Sequence, residues 1–182
     1  MVKKILIGVG IFVVLAGAAL IYLNYRNYSL SPKGEAKLTN GDLEVEVTYC
    51  RPSVRERVVF GTAEEGALQP FGQYWRLGAN ESTEITFNQD VFVVDQEVEK
   101  GTYKLYAIPG ENYFEFRLNS ELGNWGAFEA DTALDVASVQ IPVMANEHTE
   151  QFTISLEPLY DSSVKAVFKW AKMKMVIPIV PQ

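Results

Sequence analysis

From about residue 36 onward, polar and apolar residues take turns along the chain. In "LEVEVTY" (43–49), Leu43, Val45, Val47 and Tyr49 fall on one face of an extended strand, and Glu44, Glu46 and Thr48 fall on the other. "QFTISL" and "VKAVFKW" repeat the pattern, the second placing Val164, Ala166, Phe168 and Trp170 together. "TEITF", "VFVV", "GTYKLYAI", "YFEFRLN", "VASVQIPV" and "MKMVIPI" are further strand candidates, bounded by Gly, Pro, Asn or Asp. Such strands have one apolar face each and need a second sheet to cover it. About ten of them, with at most one helical turn in "GTAEEGAL", predict an all-β fold. The expected form is an antiparallel β-sandwich, with a jelly roll or a partly closed barrel as variants. Asn40-Gly41 predicts a type I′ hairpin turn between "AKLT" and "LEVEVTY". With 182 residues, 48% of them hydrophobic, the chain can bury one substantial core.

The N-terminus has a different pattern. After "MVKK" comes a run of 19 uncharged residues that begins at Ile5 and ends at Leu23. At 1.5 Å per residue it can cross a hydrocarbon layer of roughly 30 Å. Tyr22, Tyr25 and Tyr28 suit the membrane–water boundary. Lys3 and Lys4 before the run outweigh Arg26 after it, which places the N-terminus in the cytoplasm and the body outside, periplasmic or at the cell surface. The alternative is a cleaved signal peptide, for which "LAGAAL" offers small residues, and cleavage would leave a secreted body. The run continues past that point to Leu23, which favours an anchor with the lipid bilayer as its partner. The expected division is therefore an anchor or signal segment over 1–23, a juxtamembrane linker over 24–35 and an extracytoplasmic β domain over 36–182.

Charge and composition exclude several functions. From Glu35 onward there are 12 Lys and Arg against 23 Asp and Glu, a balance of −11. Such a body does not seek nucleic acid. Cys50 has no second cysteine to pair with, so it reads as a small buried side chain. His148, in the polar stretch "NEHTE", reads as a solvated loop residue. No His or Cys pair has metal-ligand spacing, and no Gly-rich phosphate loop precedes a helix. Neither a metal nor a cofactor is expected.

Arginine stands out against this acidic background. Four of the body's five arginines, Arg51, Arg55, Arg57 and Arg76, lie between residues 51 and 76. A guanidinium grips carboxylate, phosphate or sulfate through a planar fork. Arg55 and Arg57 would share one side of a strand. The functional reading is an anion-binding cleft with Trp75 as a stacking wall and Asn80 as a donor. The competing reading pairs Arg76 with Glu81 or Glu84, buries Trp75 and makes "YWRLGANE" a turn around Gly78. Tyr113, Phe114 and Phe116 read as packing, and Tyr103 and Tyr106 fall on opposite strand faces, so only one of them joins the core. Trp125 in "GNWGAF" is a candidate sugar-stacking residue in a turn.

"RPSVRERVVFG", "PFGQYWRLGANESTEITF", "KGTYKLYAIPG" and "NWGAF" occur in this order along the chain. Together they resemble the bacterial domain of unknown function family 2911, over roughly residues 36–179. The resemblance implies a shared fold and a location outside the cytoplasm, and it supplies no activity. It adds Ser53, Glu81 and Asn119 to the positions matching the family's motifs. Where the family has Gly and Ser, this chain has Glu56 and Cys50. Glu56 is expected to neutralise part of the arginine cluster. The expected function is a membrane-tethered binding or scaffold module for a small anion, an acidic glycan or a partner protein. The alternative is an enzyme that holds an anionic substrate on Arg51, Arg55 and Arg76 and uses Glu81 as general base.

Overall fold

The computed structural model describes residues 2–123, 126 and 128–182. One helix, α1 (Val2–Leu30), precedes the strands β1 (Lys33–Asn40), β2 (Leu43–Cys50), β3 (Phe60–Gly61) and β4 (Gln69–Pro70). Then follow β5 (Thr83–Phe87), β6 (Val91–Val93), β7 (Gln96–Val98), β8 (Gly101–Ile108) and β9 (Tyr113–Asn119). After a short 3-10 turn come β10 (Asp135–Pro142), β11 (Met144–Tyr160) and β12 (Ser163–Pro181). The chain is an antiparallel β-sandwich. One sheet has the order β1-β2-β5-β8-β9-β10, the other β11-β12-β6-β7, and β3 and β4 form a small parallel pair beside them.

Alternation accounts for the layering. Leu43, Val45 and Val47 of β2, Ile85 and Phe87 of β5, and Phe114, Phe116 and Leu118 of β9 are buried on the inner face of the large sheet. Phe152, Ile154, Phe168, Ile177 and Ile179 meet them from the facing sheet. Phe116 and Phe168 touch across the interface, with ring centroids 5.4 Å apart. Tyr49 on β2 donates to Ile154 O on β11 at 3.1 Å and accepts from Ile154 N at 2.9 Å, pinning the sheets together. Trp170 and Met173 of β12 both point inward although they are three residues apart. Ala171 between them lies in the left-handed region (φ 51°), and the pairing with β11 shifts register there. That bulge lets one long strand bend along the sandwich.

Several local expectations are corrected. The first hairpin exists, but Asn40 pairs with Leu43, so Gly41 and Asp42 form the loop. Gly41 has φ 60° and Asp42 does not have positive φ, which matches a type II′ turn rather than I′. The linker expected over 24–35 is mostly absent, because α1 continues to Leu30 and β1 starts at Lys33. His148 lies in β11 rather than a loop, exposed and 3.2 Å from Glu150. The expectation for the two tyrosines of β8 holds: Tyr103 packs against the core, whereas Tyr106 is buried on the outer face under Tyr74 and Asp135. Phe114 and Phe116 are core residues, while Tyr113 is exposed.

The helix bears on the body mainly through its C-terminal end. None of its residues is buried, and its apolar stretch has mean hydropathy 2.7, so by length and composition it can cross a membrane. Tyr28 donates to Glu81 Oε1, and Arg55 donates to the carbonyl of Leu30 at 3.1 Å. A cation at the last carbonyls of a helix satisfies an orphan acceptor and complements the dipole. These two contacts fix where the helix leaves the sandwich.

Candidate functional site

The site begins where β2 ends. Arg51 N donates to Pro32 O at 2.8 Å, and the chain then crosses to the edge of β11, where Val54 N meets Glu150 O at 2.8 Å. There it reverses. Arg57 N donates to Val54 O, and Arg55 and Glu56 have φ 50° and 58°, the signature of a type I′ turn. The family's glycine at 56 suits this conformation better than the glutamate found here. Glu56 is exposed and makes no ion pair with an arginine among the described residues, so it does not neutralise the cluster. Arg57 grips the turn itself, donating to Val54 O (2.9 Å) and Ser53 O (2.7 Å).

The second wall is the stretch 71–82. Trp75 exchanges two main-chain hydrogen bonds with Ala107 of β8, at 2.8 and 2.9 Å. That pairing turns the indole inward, where it is 1% exposed and stacks on Trp170 with centroids 5.8 Å apart. Phe60, Phe114 and Phe152 surround it edge-on. Trp75 is therefore a core residue and cannot serve as a stacking wall. The chain then bends through Leu77 (φ 53°), Gly78 (φ 151°) and Asn80 (φ 58°). A side chain at Gly78 would lie 2.8 Å from the carbonyl of Cys50, so the bend requires glycine. Among the described residues, four of the seven non-glycine positions with positive φ thus fall in the two walls of one cleft. Strained backbone of this kind costs roughly 1–3 kcal/mol per residue and gathers at functional sites.

Between these walls lies a cleft of about 520 Å³. Ser53, Arg55, Arg57, Tyr74, Arg76 and Asn80 contribute polar groups to it, and Leu30 at the end of α1 closes one side. No described residue lining it carries a carboxylate. Arg76 makes no ion pair or hydrogen bond among the described residues, which corrects the expected pairing with Glu81 or Glu84. Burial pulls its guanidinium below the ordinary arginine pKa, partly offset by the neighbouring Tyr74. The Glu150 carboxylate accepts from the main-chain N–H of Arg55 at 3.0 Å and makes no ion pair with the arginine side chains among the described residues. Trp170 lies at the cleft, and neither its indole N–H nor the buried Tyr74 hydroxyl has a hydrogen-bond partner among the described residues. Burial pushes the Tyr74 pKa up to about 12, so it stays a neutral donor.

The other candidates lie elsewhere. Arg51 turns away from the cleft and donates to Phe152 O (3.3 Å) and Thr153 Oγ1 (3.1 Å). Asn80 and Glu81 are neighbours in sequence but line different clefts. Glu81 faces a second one of about 510 Å³, together with Glu35, Glu84 and Cys50. Burial by itself would raise the Glu81 pKa, but Tyr28, its own main chain, Cys50 (3.3 Å) and Lys33 (3.2 Å) together hold it below the ordinary value. A general base working near neutrality needs the opposite shift. Burial, reinforced by Glu81, pushes the Cys50 thiol up to about 11, far from a reactive thiolate. Asn119 is fully buried and donates to Asp131 O and Asp135 Oδ1, both at 2.8 Å, so it secures the segment leading into β10. Trp125 lies outside the described residues. Among the described residues no group of His, Cys, Asp and Glu is placed to hold a metal ion.

The model of a family described as a protein of unknown function (DUF2911) matches residues 31–179. The chain belongs to that family. The match starts at Ser31, so the DUF2911 domain here is the sandwich, with α1 ahead of it. No curated protein and no solved structure shows significant similarity to the chain. Sequence reading missed Tyr74 and Trp170 as cleft residues. Their unsatisfied donors depend on which side chains surround them, and no local motif encodes that.

Proposed function

We propose that the DUF2911 domain is a binding module for an anion, seated in the cleft between Arg55, Arg57 and Arg76. The carrying observation is that three arginines line one cleft in which no described lining residue carries a carboxylate, although the body as a whole has a balance of −11. Like charges gathered without counter-charge repel one another, and an anion relieves that repulsion. The half-buried Arg76 supplies open donors. The catalytic alternative has less support, since Glu81 lines another cleft and its partners hold its carboxyl below the ordinary pKa, which makes it a weak base near neutrality.

The test is a thermal-shift series on the full chain in an uncharged detergent. Phosphate, sulfate, citrate and uronic acids are compared at constant ionic strength, because salt alone screens the acidic body. A ligand at a hundredfold excess over Kd stabilises by about 2.7 kcal/mol, or roughly 5–10 °C for a chain of this size. The shift is expected to vanish in Arg76→Gln. No response to any anion, or an equal response in the variant, refutes the site.

In the same reading α1 stays attached and holds the domain outside the cytoplasm. Support comes from the uncharged run, the tyrosines after it and the lysines before it. N-terminal sequencing of protein from host membranes should find the chain starting at its first residues. A mature end between Ala18 and Leu23 would leave a secreted module instead.

A further inference from the structure

The cleft and the helix end are one structure. Leu30 and Ser31 form part of the cleft wall, Arg55 donates to Leu30 O (3.1 Å), and Asn80 Nδ2 donates to Ser31 O (3.3 Å). Two residues of the cleft therefore hold the point at which α1 meets the body. If the uncharged run fills the hydrocarbon layer up to Leu23, Leu30 stands about 10 Å beyond it. Each headgroup layer is roughly 5–8 Å deep. The mouth of the cleft then opens at the outer edge of the headgroups, within reach of their phosphates.

Chemistry narrows the ligand further. Arg57 spends two donors on main-chain carbonyls and Arg55 spends one, while Arg76 spends none among the described residues. A carboxylate holds its two oxygens in one plane, whereas the oxygens of a phosphate, two free ones in a diester and three in a monoester, are set tetrahedrally and meet guanidinium forks from more than one side. The cleft, about 520 Å³, is much larger than a bare phosphate needs, and Leu30, Leu68 and Pro70 line it with apolar surface. That combination suits a phosphate carrying an organic substituent with an apolar portion. The body's acidic residues, in turn, disfavour general adhesion to an anionic surface, so binding has to be local to the cleft.

We infer that the cleft receives the phosphate of a membrane phospholipid headgroup, presented to it by the bilayer that α1 crosses. This rests on the anion-binding reading and on the anchor.

The experiment uses the full chain in an uncharged detergent and follows intrinsic tryptophan fluorescence, Trp170 being at the cleft. Short-chain phosphatidic acid and phosphatidylglycerol are titrated against inorganic phosphate and glycerol phosphate, with short-chain phosphatidylcholine as the zwitterionic control. The expected result is at least tenfold tighter binding of the anionic lipids than of inorganic phosphate. That preference should fall at least tenfold in Arg76→Gln and also in Arg57→Gln, with the thermal midpoint of each variant measured to show that the fold persists. Equal affinity for inorganic phosphate and lipid overturns the membrane source and leaves a soluble-anion site. Lipid binding that persists in both variants overturns the inference, because the lipid is then held by the helix surface. No response to lipid or phosphate overturns the inference and the anion-binding reading together.

Discussion

Trp75 and Arg76 are neighbours in sequence with opposite roles, one filling the core and the other facing the cleft. Trp75 is enclosed by Phe60, Phe114, Phe152 and Trp170. Trp75→Ala should cost about 3–5 kcal/mol, read as a lower midpoint in denaturant unfolding. An unchanged midpoint would mean the indole is not packed as described. Burial of Trp75 was legible in the sequence as one of two open readings, because a large aromatic between strands usually ends inside. The fate of Arg76 was not legible. Its nearest acidic residue in sequence, Glu81, is turned to another cleft beyond Asn80 (φ 58°) and taken up by Tyr28, 53 positions away. A reading of local spacing cannot see a partner that distant.

The same distance effect operates on whole elements. The stretch 24–30 has no apolar period and reads as a linker, yet it is helical because the sandwich supplies its end contacts. Arg55 caps Leu30, and Glu81 takes the Tyr28 hydroxyl and pairs with Lys33. Glu81 therefore ties the end of α1 and the start of β1 to the 71–82 wall, and its charge sets a pH dependence. Its carboxyl titrates below the ordinary value of 4.5 in the folded protein. The stabilisation is thus complete above the unfolded value and is lost as pH falls through the lower folded value. Melting temperature should fall more steeply below about pH 4.5 in the native chain than in Glu81→Gln. Parallel profiles for the two proteins would show that Glu81 does not join these elements. The first hairpin, by contrast, was legible to within one residue. Its register moves by that one step because Gly41 takes the first loop position, where positive φ is needed.

At the scale of the molecule, the sandwich was written in the two-residue period, since each strand's apolar face required a covering sheet. The cleft was less legible. Its walls come from residues 51–57 and 71–82, its lining extends to Trp170, and its edge comes from the end of α1. Only the folded arrangement separates Arg51, which binds β11, from the three arginines that share the cleft. It also leaves Arg117 as an internal control, held by Glu115 at 2.6 Å and Asp135 at 2.8 Å. The central claim is that Arg76 is an open anion receptor. The most direct measurement is the ¹⁵N–¹H spectrum of the arginine Nε–H groups, assigned by substitution and followed while phosphate is added at constant ionic strength. The account predicts that the Arg76 resonance moves and saturates, with Arg55 and Arg57 following it and Arg117 staying still. An Arg76 resonance that does not move, or one that drifts in step with Arg117, would contradict it.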